Sequence, residues 1–188
     1  YKSEDRPKDS TGPVVVWPED CDRDGVVSTV EATNLVRDLI NTPASDMGPP
    51  ELAAAAADLA SSHEAEYSVI EGDDLLDQNF PAIHAVGRAH DRAPRLIDIR
   101  WGASDAPKVT LVAKGVCLDT RGLDIKSTAG MILTKQDMGG APHVLGIAAM
   151  VLDASLPTRF RGFVPAGGSS LCAHSLRPGD LFPTPARP

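Results

Sequence analysis

Apolar and polar positions along this chain fall into blocks that switch between a helical and an extended period. Val14, Val15, Val16 and Trp17 form a short β-type run closed by Pro18, which predicts a strand. Ser28 and Glu31 stand at a capping-box spacing ahead of Ala32, Leu35, Val36, Leu39 and Ile40, whose separations of three, four, seven and eight residues share one helical face. That helix should stop near Asn41, because Pro43 disfavours helical geometry in the residue before it. Pro49 and Pro50 suit a helix start, and Glu51 to Ser61, with five consecutive alanines, predicts the next helix. Tyr67 to Ile70, Arg95 to Arg100 and Val109 to Ala113 read as strands, the last an apolar run expected to be buried on both faces. Gly139 to Leu152 returns to helical spacing, and Phe160 to Val164 reads as one more strand. Such alternation implies an α/β fold, a mixed sheet flanked by helices.

A hydrophobic fraction of 42% over 188 residues supports one domain with a real core rather than disorder. Only Lys2 to Thr11, dense in charge, and Pro178 to Pro188, rich in proline, lack the apolar surface to order themselves. A net charge of -8 with scattered basic residues argues against nucleic-acid and anionic-membrane partners, which require clustered Lys and Arg. Cys21, Cys117 and Cys172 stand far apart without a CxxC pair, so neither a zinc knuckle nor a disulfide framework is expected, and sparse thiols suit a reducing, cytoplasmic setting. No apolar run approaches the roughly 20 residues of a membrane span.

The chemistry concentrates in Lys114-Gly-Val-Cys-Leu-Asp119-Thr-Arg-Gly-Leu-Asp-Ile-Lys126 and in Asp137-Met-Gly-Gly. Two lysines and two carboxylates, five, seven and eleven residues apart among glycines and apolar residues, form an odd pattern for a surface loop. The apolar strand delivers Lys114 to the carboxyl edge of a sheet, where open α/β sheets place ligands. Asp119 follows in a glycine-bearing turn, and Asp137 opens the next helix. Desolvated charges there must be offset by a metal ion or by mutual pairing. The pairing alternative is a salt bridge of Lys114 with Asp119 or of Lys126 with Asp137. The metal alternative takes Lys114, Asp119 and Asp137 as donors; a ligating lysine must be a neutral amine and so needs a strong Lewis acid such as zinc beside it.

These residues, with Gly130-Met131 and Ala141, resemble the metal-binding core of the leucyl aminopeptidase (cytosol aminopeptidase) family. Leu35-Val-Arg-Asp-Leu-Ile-Asn41-Thr-Pro-Ala-Ser-Asp46-Met-Gly-Pro49 resembles the stretch that opens the catalytic domain of that family. The resemblance implies a metallo-aminopeptidase that releases N-terminal residues, leucine among them, from peptide substrates by a two-metal mechanism using Zn or Mn. It implies Lys114, Asp119 and Asp137 as metal ligands, Asp119 bridging, and Lys126 as the catalytic lysine that polarises the scissile carbonyl. It implies a homohexamer as well. On this basis residues 1–27 are a linker and short strand, 28–165 part of the catalytic domain, and 166–188 a divergent proline-rich tail.

Departures from the family pattern are specific. The Asn-Thr-Asp-Ala-Glu-Gly-Arg segment that supplies further carboxylate ligands is not found, and Ala166-Gly-Gly-Ser-Ser170 stands in the acidic stretch expected before Arg177-Pro-Gly-Asp180. Thr134 replaces a pocket-lining methionine, and Arg121 a glycine of the ligand turn. The start at Tyr1 and the incomplete ligand set imply part of a longer enzyme with little or no activity alone, or a non-catalytic remnant. A different class of function is offered by Asp20, Asp22, Asp24, Gly25 and Glu31, which match a calcium-loop spacing; the same residues also suit an acidic helix N-terminus without any ion. The five histidines are dispersed and are expected to be surface or helix residues, and Ser169 and Ser170 lack a nucleophile elbow.

Overall fold

A computed structural model describes residues 16–181. Val14 and Val15 of the first predicted strand lie outside the described residues, as do Lys2 to Thr11 and most of the proline-rich end, while Val16 and Trp17 adopt no regular structure. The order of elements is α1 (Arg23–Asn41), α2 (Pro49–Ser62), β1 (Glu66–Glu71), α3 (Asp74–Asp77), α4 (Pro81–Gly87), β2 (Arg95–Trp101), β3 (Lys108–Val112), β4 (Gly115–Asp119), α5 (Thr128–Ile132), a 3-10 turn (Thr134–Met138), α6 (Gly140–Asp153) and β5 (Arg159–Ser169).

β5 is the spine of the sheet. Along one side it pairs antiparallel with β2, which pairs antiparallel with β1. Along its other side it pairs parallel with β3 at its start and with β4 at its end. β3 and β4 therefore follow one track interrupted at Ala113 and Lys114. The expected mixed sheet flanked by helices is the fold found. Ile97, Ile99, Phe160, Val164 and Ala166 pack with Leu52 and Ala56 of α2 and Val144, Leu145 and Ala148 of α6 in one core. Successive strand residues point to opposite faces, so Phe163 turns away from that core and meets Phe80, at the start of α4, with ring centroids 6.1 Å apart. The face opposite that core is thus covered around Phe163 by the start of α4.

Three expectations need correction. α1 begins at Arg23, five residues before Ser28, because Asp22 accepts a hydrogen bond from Gly25 N at 3.1 Å and caps the helix itself. Ser28 instead donates sideways to Asp153 Oδ2 at 2.5 Å, and Asp153 also holds His63, so one carboxylate ties α1, α2 and α6 together. β3 is an exposed edge strand rather than a buried one, with Val112 64% exposed. An apolar run shows extended structure but not how many neighbours the strand has. β5 runs through Pro165 to a buried Ser169, so residues 166–169 belong to the core sheet rather than to a tail, and the boundary at residues 27 and 28 falls inside α1. Among the described residues no helix is long and apolar enough to cross a membrane.

Candidate metal centre

Lys114 occupies the break between β3 and β4, where the chain steps from one half of β5 to the other. The first turn of α6 presses against this break, since Ala141 N donates to Lys114 O at 3.0 Å. Glycines ease the approach: a Cβ on Gly115 would lie 2.8 Å from Pro165 O, and one on Gly140 would crowd the Ala113 Cβ at 3.0 Å. Asp119 ends β4 rather than sitting in a turn, and Asp137 lies in the 3-10 turn that precedes α6 rather than at the start of the helix. Lys126 stands in the loop before α5, its backbone N–H bonded to Thr120 O at 3.3 Å.

The four charged side chains close into a ring in which each lysine touches both carboxylates. Lys114 Nζ lies 2.9 Å from Asp137 Oδ1 and 3.8 Å from Asp119 Oδ2. Lys126 Nζ lies 2.7 Å from Asp137 Oδ2 and 3.3 Å from Asp119 Oδ2. Both alternative salt bridges expected from the sequence are therefore present together with their cross-pairs. The ring has no formal net charge. Its two lysines are not equivalent: the side chain of Lys114 is 52% exposed and that of Lys126 only 16%. Burial pushes the Asp137 carboxyl up, but hydrogen bonds from Lys126 and Lys114 outweigh it and hold the group below the usual carboxylate range. Burial likewise opposes the charge on Lys126, yet the Asp137 hydrogen bond and the Asp119 charge leave its pKa raised.

The turn after β4 fixes the Asp119 carboxylate. Asp119 Oδ1 accepts from Arg121 N at 3.0 Å, which leaves Oδ2 for the lysines. Thr120 is buried and donates to Ser169 O at 3.1 Å, pinning the turn to the end of β5. Gly122 has a φ of 65°, and a Cβ there would lie 2.5 Å from Leu176 O, so only glycine fits. Arg121 carries the same left-handed twist, φ 66°, without being glycine and with its side chain exposed. Left-handed geometry costs an L-residue roughly 1–2 kcal/mol. Arg121→Gly is therefore expected to raise stability by about 1 kcal/mol after the loss of chain stiffness is counted; a lower melting temperature in thermal denaturation would contradict this.

As a metal centre the ring offers two carboxylates and one solvent-facing amine at a common point. That set suits one hard or borderline divalent ion once Lys114 has lost its proton. It does not close two coordination spheres, and among the described residues no three His, Cys, Asp or Glu side chains gather where an ion could be held. The calcium motif fails on geometry: Asp24 and Glu31 lie on α1, and Asp22 is its cap, so Asp20, Asp22, Asp24 and Glu31 cannot wrap an ion. A groove of about 620 Å³ opens near the opposite end of β5, where Arg100, Lys108, Arg159 and Arg161 face Glu64 and Glu66, and its lining includes no histidine or cysteine. Thr134, noted above only as a departure from a pocket-lining methionine, joins the ring through its hydroxyl, which accepts from Lys126 Nζ at 3.0 Å and donates to Asp119 O at 2.6 Å.

Residues 34–185 match the catalytic domain of the cytosol aminopeptidase family. Among solved structures, a cytosol aminopeptidase from Coxiella burnetii is 52% identical with a TM-score of 0.83, over 86% of this chain and 35% of that one. The bottromycin maturation enzyme BotP in complex with Mn is 32% identical with a TM-score of 0.83, over 94% of this chain and 40% of that one. A leucyl aminopeptidase from Trypanosoma brucei in complex with bestatin is 26% identical with a TM-score of 0.84, over 89% of this chain and 33% of that one. The chain thus spans little more than a third of the relatives it matches.

Proposed function

This chain belongs to the cytosol aminopeptidase family, and from that membership we propose that it carries part of the centre of a metallo-aminopeptidase that releases N-terminal residues from peptides. The observation that supports the reading is the convergence of Lys114, Asp119 and Asp137, delivered by a strand break, a strand end and a 3-10 turn. These three would hold divalent metal, Zn or Mn, with Asp119 Oδ2 in the central place because both lysines already reach it. Bound metal there supplies a water of lowered pKa and polarises the substrate carbonyl. Lys126 acts as an ammonium. With Asp119 and Asp137 engaged as metal ligands, its N–H groups would donate to the scissile carbonyl oxygen as negative charge develops on it. The remaining donors of a two-ion site do not lie among the described residues.

A second reading rests on a specific observation: the ring is charge-balanced by its own ion pairs, as a purely structural cluster would be. Metal content separates the two. Wild-type protein exchanged into Mn2+ or Zn2+ and gel-filtered should retain metal by mass spectrometry, while Lys114→Ala and Asp119→Ala should not. Equal content in all three would overturn the assigned donors. Chelator-sensitive hydrolysis of leucine p-nitroanilide tests the activity, and is expected to be weak with three donors alone.

A further inference from the structure

We infer that Thr134 is a positioning residue for Lys126, a role that rests on the aminopeptidase reading of the same site. An ammonium has three N–H donors, and Lys126 Nζ has three acceptors around it: Asp137 Oδ2 at 2.7 Å, Thr134 Oγ1 at 3.0 Å and Asp119 Oδ2 at 3.3 Å. The three differ in what happens when a divalent ion arrives. Both carboxylates are drawn toward the ion, and their hold on Lys126 weakens. The neutral hydroxyl is a poor competitor for the ion and stays with the ammonium.

The threonine is built for this. Its single proton goes to Asp119 O at 2.6 Å, so the hydroxyl cannot rotate and its lone pairs are left toward Lys126. The residue is 5% exposed, and a β-branched side chain packed in this way has little rotameric freedom. One hydroxyl therefore ties Lys126 to the backbone of Asp119 and fixes the distance between the amine and the carboxylate on which the chemistry depends. Asp119, Asp137 and Thr134 together hold Lys126 in this structure, and Thr134 would go on holding it with metal bound.

The test compares Thr134→Val, which keeps the shape and removes the acceptor, with Thr134→Ser, which keeps the acceptor, in the metal-loaded protein. Thr134→Val should lower kcat for leucine p-nitroanilide roughly a hundredfold with KM little changed, since misplacement of a catalytic group costs about that much. Thr134→Ser should recover most of the loss. A structural role alone predicts a lower melting temperature without that split and without rescue. Independently of activity, the Lys126 ammonium signal in 15N NMR of the zinc-loaded protein should be protected from exchange in wild type and Thr134→Ser and lost in Thr134→Val. Should the valine variant not fold, Thr134→Ala is read by the same signal. A protected Lys126 signal in Thr134→Val or Thr134→Ala, or unchanged kcat in Thr134→Val, would overturn the inference. Wild type that retains no metal would instead count against the aminopeptidase reading; where hydrolysis is too weak to measure, the ammonium signal of the zinc-loaded protein decides the placement of Lys126.

Discussion

Asp137→Ala is expected to strip the site of metal and to destabilise the metal-free protein at the same time. Asp137 is the residue that gives each lysine its own oxygen, Oδ1 to Lys114 at 2.9 Å and Oδ2 to Lys126 at 2.7 Å. Its removal leaves two ammoniums sharing Asp119 Oδ2. Lys114 can swing into water, but the Lys126 side chain is only 16% exposed and keeps a poorly paired charge. Losing one partner of such a pair costs about 2 kcal/mol when the other cannot fully resolvate. Loss of metal should be larger, at least about a hundredfold in affinity, since even an outer-shell partner is worth ten- to a hundredfold.

The pH dependence of the metal-free ring has a defined sign. The folded Asp137 carboxyl titrates below its unfolded value of about 3.9, so its contribution is present above that pH and is lost as pH falls through the folded pKa. Lys126 is raised above its unfolded value of about 10.4, so its contribution is present below that pH and is lost as pH rises through the folded pKa. Denaturant titrations of wild type and Asp137→Ala with chelator should therefore differ most between these limits and converge in acid. Curves parallel down to the lowest pH would show that the ring does not stabilise the fold.

The sequence exposed the parts of this site that obey local rules. α2 was readable because Pro49, the alanine run and Glu51 agree, and the Glu51 carboxylate indeed accepts from Gly48 N at 2.9 Å. Lys114, Asp119, Lys126 and Asp137 were readable as a set because opposite charges recur among glycines, and the structure brings all four together. What escaped was set by distant partners. Asp119 reads as part of a glycine-bearing turn, and only the pairing of β4 with the end of β5 makes its segment a strand. The last strand reads as Phe160 to Val164, yet β5 continues to Ser169. Ser28 looked like a cap because the spacing to Glu31 is correct, but the Asp22 cap starts the helix first.

Asp98 shows how costly such an unseen partnership can be, and Asp98→Ala is expected to destabilise the fold by about 3 kcal/mol. The residue is 6% exposed in the middle of β2 and unites two guanidiniums. Arg161 grips it as a fork, Nε to Oδ1 at 2.8 Å and Nη2 to Oδ2 at 2.7 Å, and Arg100 adds a bond to Oδ2 at 2.5 Å. Arg100 and Arg161 are direct cross-strand partners, so without the aspartate two like charges face each other across the central pair of the sheet. Breaking a buried pair costs about 3–5 kcal/mol. The lower end applies here because the arginine side chains are 53% and 32% exposed and part of their charge returns to water. Burial pushes the Asp98 carboxyl up, but hydrogen bonds from Arg161 and Arg100 outweigh it and hold it below the usual range. Its stabilisation is thus present above a pH of about 3.9 and lost as pH falls through the folded pKa. Urea unfolding at neutral pH measures the loss, and an Asp98→Ala/Arg161→Ala double variant tests its cause. Removing Arg161 as well should restore part of the stability, because the repulsion goes with it; two losses that simply add would place the damage in packing rather than charge. β5 carries Arg161 at one end and anchors Thr120 through Ser169 at the other, so a loosened β2–β5 pair should also lower metal retention at a site Asp98 never touches.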